Sequence, residues 1–163
     1  MKRFFVFIAS ICILISLFSC EKKFDLLEYQ SADICAKCLV NDTYIINVEK
    51  SQGLRSLSII EPVELDTISF KLENDTAIAI CDGTEIPIDI SNLGGIVALC
   101  SIFDLDSEAI SSSSVDESGT TVSFLIEGVS YSVSYGKNNL PTHFNISSDN
   151  FSLAVKVLEL KVK

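Results

Sequence analysis

From Ala32 to Val162 apolar side chains keep returning at every second position, and this alternation limits the fold more than any other feature of the chain. Successive side chains of a strand point to opposite faces, so the pattern describes strands with one buried and one wet side. Its strictest instance is Val129, Tyr131, Val133 and Tyr135, separated by Ser130, Ser132 and Ser134. Ile34, Ala36, Cys38 and Val40 read the same way, and Asn41-Asp42 turns the chain into Tyr44, Ile46 and Val48. Leu54 to Ile60, Ile68 to Leu72 and Ala77 to Cys81 follow, before Asp82-Gly83 leads into Ile86, Ile88 and Ile90. Asp-Gly supplies the left-handed backbone that a two-residue hairpin demands. Later strands are expected at Val122 to Ile126, after the turn Glu127-Gly128, at Phe144 to Ile146, and from Phe151 to Val162. About ten short strands with short turns make a mostly antiparallel sheet.

The period changes once. Leu93, Ile96, Val97, Cys100 and Phe103 recur at helical spacing, so a helix is expected over Leu93 to Phe103, with Ser91 or Asn92 as its N-cap. Leu99 and Ile102 lie off that stripe, which leaves the helix apolar around most of its circumference. Such a helix is buried on two sides or covers a greasy opening. Gly94 and Gly95 lower its intrinsic stability, so packing must hold it. The expected fold is α+β and mostly β: a curved antiparallel sheet, a half-barrel, with this central helix packed on its concave face. Asp104 to Gly119 reads as a loop containing a serine patch, Ser111 to Ser114.

The first twenty residues follow a different logic. Lys2 and Arg3 precede an apolar run from Phe4 to Leu17, which is the layout of an export signal. That run falls short of the ~20 residues a spanning helix needs. Leu17-Phe18-Ser19-Cys20 resembles the bacterial lipobox, whose cysteine is lipidated and becomes the new N-terminus; Phe18 stands where a small residue is usual. The resemblance implies a signal peptide over residues 1–19, acyl chains such as palmitate on Cys20, a tether over 20–31, and one domain over 32–163. A helical turn is expected in the tether at Phe24, Leu26 and Leu27. The domain would face the extracytoplasmic side of a bacterial cell membrane. Plain secretion with cleavage near Ser19 is the competing reading.

Removing 19 of 163 residues takes Lys2 and Arg3 but no acid, so a chain of charge −10 becomes a domain of 144 residues and charge −12. Nucleic acid and anionic head groups repel such a domain, and membrane contact must come through the lipid. Besides Cys12 and Cys20 there remain Cys35, Cys38, Cys81 and Cys100. Two disulfides and small buried hydrophobes are both open readings, with a four-cysteine zinc site as a third. Cys35 and Cys38, three apart on a strand, point to opposite faces and cannot easily share a metal or a bond.

The order of elements is similar to the LolA/LolB-like lipoprotein-carrier fold. The features that carry the likeness are Pro62-Val63-Glu64-Leu65 after a strand, then paired strands, the helix at Leu93 to Phe103, Tyr131 to Tyr135, Asn138-Asn139-Leu140-Pro141, and two closing strands. It spans residues 32–163 and extends to lipoproteins of spore-forming bacteria, germination lipoproteins among them. The resemblance implies an apolar cavity or groove, placed beneath Leu99, Ile102 and Phe103 as the ligand-binding residues.

Catalytic chemistry is sparse. His143 is alone, in a turn after Pro141, where a hydrolytic triad or a His-rich metal site would need more. Asp104, Asp106 and Glu108 form a loop acid cluster without EF-hand spacing. No glycine-rich phosphate loop occurs, and tryptophan is absent. No enzyme activity, metal or cofactor is expected. Two functions are: a binding module for an apolar, acyl-chain-like ligand, or an interaction protein that docks a cell-envelope enzyme. Few buried polar anchors are in view, so a ligand would be held by apolar contact with little salt dependence.

Overall fold

The computed structural model describes residues 32–73, 76–116 and 119–163; the expected signal peptide, Cys20 and the tether lie outside these residues. Eleven strands are found among them: β1 Ile34–Val40, β2 Tyr44–Ser51, β3 Leu54–Glu61, β4 Ile68–Glu73, β5 Thr76–Cys81, β6 Thr84–Ile88, β7 Ile110–Val115, β8 Thr120–Ile126, β9 Val129–Tyr135, β10 Pro141–Ser147 and β11 Ser152–Val162. They form one antiparallel sheet in the order β6-β5-β4-β3-β2-β1-β11-β10-β9-β8-β7. The chain thus runs outward from β1 to an edge at β6, crosses over, and returns from the opposite edge at β7 to pair β11 with β1. The protein is mostly β, with a large open sheet and one α-helix among the described residues.

Turn chemistry explains the meander. Gln52-Gly53, Asp82-Gly83 and Glu127-Gly128 each close a two-residue hairpin with both residues left-handed, at φ 48 and 84, 49 and 77, and 50 and 81. That mirror-image backbone matches the twist of the strands it joins. Asn41 is left-handed too, and its Oδ1 accepts the Ala154 N–H at 2.8 Å, tying the β1–β2 loop to β11. At the β6 edge Pro87 lacks an N–H donor, which an edge strand tolerates and a central strand does not.

One face of the sheet carries the core. Ile34, Ala36, Cys38 and Val40 are buried along β1, and Val122, Phe124, Tyr131, Val133, Phe144 and Ile146 continue that face through β8, β9 and β10. Ser130, Ser132 and Ser134 stand on the other side of β9. They form a wet small-polar face, as the alternation implies.

The helix, α1, runs over Gly94–Cys100 and is shorter than the spacing predicts. A 3-10 turn over Ile90–Asn92 precedes it, capped by the Asp89 side chain, which accepts from the Ser91 N–H. Its last turn tightens: the Ser101 N–H is shared between the carbonyls of Val97 and Ala98. Phe103 therefore lies beyond the helix, in a turn, and meets Phe144 edge-to-face at 5.5 Å. The helix packs against β2, β3 and β4. A Cβ on Gly94 would come within 3.2 Å of the Phe151 ring, so a glycine that weakens the helix lets it sit close to β11.

Two other expectations change. Ser111 to Ser114 belong to the edge strand β7, every residue of which is exposed. A strand wet on both faces has no apolar alternation to reveal it. His143 is not in a turn but on the exposed side of β10, its Nδ1 3.2 Å from the Thr142 Oγ1.

Candidate functional site

Beside α1 opens a groove of about 450 Å³. The helix side supplies Ile90, Gly94, Val97 and Ala98; β3 and β4 supply Arg55 and Leu72; β8, β9 and their turn supply Ile126, Glu127, Val129 and Tyr131. Leu72, Ile90, Val97, Ile126 and Val129 make much of the wall apolar. Leu99, Ile102 and Phe103 are not in that wall. They are brought together, but as buried core, with Ile102 2 % exposed.

Arg55, Ser101 and Asp104 give the groove its polar lining, and Lys50, outside that lining, pairs with Asp104. Along β2 the buried positions run Ile46, Val48, Lys50, so Lys50 continues an apolar row and is 8 % exposed. Its Nζ meets Asp104 Oδ1 at 2.9 Å and donates to the Phe103 carbonyl at 3.2 Å. Arg55 pairs with Lys50 across β2 and β3 and shares its face. Its Nη1 donates to Ser101 Oγ at 2.9 Å and lies 3.8 Å from Asp104 Oδ2. A cation near the carbonyls that end a helix is favourable, and here two cations fix the segment that follows α1. Asp104 thus belongs to an ion-pair cluster rather than to an acid cluster. Asp106 caps a 3-10 turn by accepting the Glu108 N–H at 2.8 Å. Among the described residues no group of three or more His, Cys, Asp or Glu could hold a metal ion.

Tyr131 lines the groove from β9. Burial pushes its phenol up to about 12; Glu127 adds to the shift and Arg55 opposes it. The four described cysteines are free thiols. Cys38 and Cys100 are buried, and burial pushes both up to about 12. Cys35 lies on the opposite face from Cys38, its Sγ 3.6 Å from Glu49 Oε1.

Sequence reading misses Lys50, Arg55 and the role of Tyr131. The signal is there: both cations occupy the inward parity of their strands, where Val48 and Leu57 are their apolar neighbours. A charge at an inward position requires a partner or an opening.

No family model matches the chain, and no curated protein matches it. Among solved structures, the chain is similar to an uncharacterized conserved protein from Thermus thermophilus. That match has a TM-score of 0.51 and 10% identity, covering 85% of this chain and 86% of that one. It is loosely similar to a LolA superfamily protein from Nitrosomonas europaea, with a TM-score of 0.41 and 9% identity over 85% of this chain and 92% of that one. At these identities the likeness is one of fold alone. No helix among the described residues is long and apolar enough to cross a membrane.

Proposed function

We propose that this protein is an exported lipoprotein that holds an apolar, acyl-chain-like ligand in the groove beside α1. In this reading lipid on Cys20 anchors it to the extracytoplasmic face of a bacterial cell membrane. The sheet is a half-barrel, with α1 on its concave face. The observation that carries the reading is that residues of β4 and β8, seven places apart in the sheet order, line one groove. At ~4.8 Å per strand they would stand about 34 Å apart in a flat sheet, which favours a sheet wrapped towards the helix. Register shifts at Lys37/Cys38 and Ile45/Ile46 support the bend, since bulges curve strands. A volume near 450 Å³ falls within the ~300–1,000 Å³ of small-molecule pockets.

Native mass spectrometry of the protein taken from its own membrane tests this reading. The expected spectrum shows acyl modification at Cys20 and a second, non-covalent mass in the range of an acyl lipid. Cys20→Ala should leave the membrane fraction or stall in processing. Unmodified protein with no bound lipid would contradict it. The exposed edge strand β7 favours a second reading, an interaction protein that docks a cell-envelope enzyme. A stoichiometric protein partner with an empty groove would put that reading first.

A further inference from the structure

Tyr131 is an inner-face residue of β9, 4 % exposed, with its side chain in the groove wall. Its hydroxyl makes no hydrogen bond to any described residue, yet it is not among the polar atoms sealed from solvent. The open side of the hydroxyl is therefore the groove. A hydroxyl held in so buried a side chain is normally paired, and here the partner must come from outside the chain's described residues. Arg55 points the same way. Both of its contacts use Nη1, while Nε and Nη2 have no partner among the described residues. Two side chains thus offer unused donors to one end of an otherwise largely apolar groove.

The charges around that end decide what the donors accept. Lys50 and Arg55 are offset by Asp104 and Glu127, and the whole chain carries −10. A carboxylate or phosphate would bring a further negative charge against Asp104 and Glu127, in a partly dry site where repulsion is strong. An uncharged oxygen acceptor meets no such opposition. We propose that the polar end of the groove recognises the ester carbonyl of an acyl chain, which accepts from the Tyr131 hydroxyl and the free Arg55 N–H groups. The hydrocarbon then lies along Leu72, Val97 and Val129. This proposal rests on the groove reading above and names the head chemistry of its ligand.

The test is displacement of a pyrene hydrocarbon probe from delipidated protein by three competitors of equal chain length: methyl laurate, laurate and dodecane. Methyl laurate is expected to compete best. Tyr131→Phe, which keeps the ring and its packing, should weaken methyl laurate roughly three- to tenfold relative to dodecane measured on the same variant. Salt should have little effect on methyl laurate. Laurate competing best, with a steep salt dependence, would overturn the proposal in favour of an anionic head. Equal competition by methyl laurate in wild type and Tyr131→Phe would overturn it while leaving the groove intact. A probe that does not bind wild-type protein at all would remove the groove reading and this proposal together.

Discussion

The two arms of the sheet show the same alternation and different degrees of cover. On β8, β9 and β10 the inward residues Val122, Phe124, Val133, Phe144 and Ile146 are buried, while Ile126 and Val129, beside the groove, are half-buried. On β4, β5 and β6 the inward positions include Ile68, Phe70 and Cys81, which are only half-buried, and Ile86, which is 46 % exposed. Alternation tells which side of a strand is apolar; it does not tell what lies over that side. The first arm is covered in part by Phe103, as the Phe103–Phe144 contact shows. The second is covered by α1 chiefly near Leu72, while the far ends of its strands stay open. The groove lies where the two kinds of cover meet.

Core truncations should break this comparison most sharply. Phe144→Ala is expected to cost about 3–5 kcal/mol, the range for a fully buried ring. Phe70→Ala, from the half-open arm, should cost no more than about 1–2 kcal/mol, because less contact and less cavity are involved. Urea titration of the two variants measures both. Equal losses would mean that the arms are covered alike.

Lys50 sharpens the comparison from the side of the cover. It ties the segment after α1 to β2 through Asp104 and the Phe103 carbonyl. Lys50→Ala should destabilise by about 1–3 kcal/mol, towards the low end because Asp104 is 42 % exposed and can be rehydrated. Hydrogen exchange should rise at Phe103 to Leu105 more than in β4–β6. An unchanged exchange pattern would show that the ion pair does not hold the cover in place.

The smallest expected effect is at alkaline pH. Cys38 and Cys100 belong to the buried core and Tyr131 to the groove wall, and burial raises each to about 12 from ordinary values of 9.0, 9.0 and 10.0. A raised acid favours its protonated form in the folded state. Its contribution is therefore fully present below the unfolded value and lost as pH climbs towards the folded one. Stability should be level up to about pH 9 and fall progressively towards pH 12. Cys38→Ala should flatten the first part of that fall, and an unchanged profile would place the thiol in a wetter site.

How much of this is legible in the sequence follows the same division. Strands with one apolar face, such as Val129–Tyr135, can be read with their turns because burial leaves a period of two and a hairpin demands particular residues. β7 cannot, since Ser111 to Ser114 face water on both sides and carry no periodic signal. The apolar spacing places the helix correctly and draws it too long. That spacing continues to Phe103, but the chain leaves the helix after Cys100 so that Phe103 can reach Phe144. The largest gap is at the groove. Greasiness marks Leu99, Ile102 and Phe103 as candidate lining, and that same greasiness buries them. The polar end depends on Arg55 from β3 meeting Tyr131 from β9, strands distant both in sequence and in sheet order. No local spacing encodes such a meeting.

Whether the groove accepts a hydrocarbon chain can be measured by titrating a fluorescent fatty-acyl probe into delipidated wild-type protein and into Val97→Phe. Val97 is half-buried and faces the groove, so a larger side chain there should fill the space without opening the core. Saturable binding to wild type, weakened at least about tenfold in Val97→Phe at an unchanged melting temperature, is the expected result. Absence of saturable binding to wild type, or equal binding by both proteins, would contradict a ligand site beside α1.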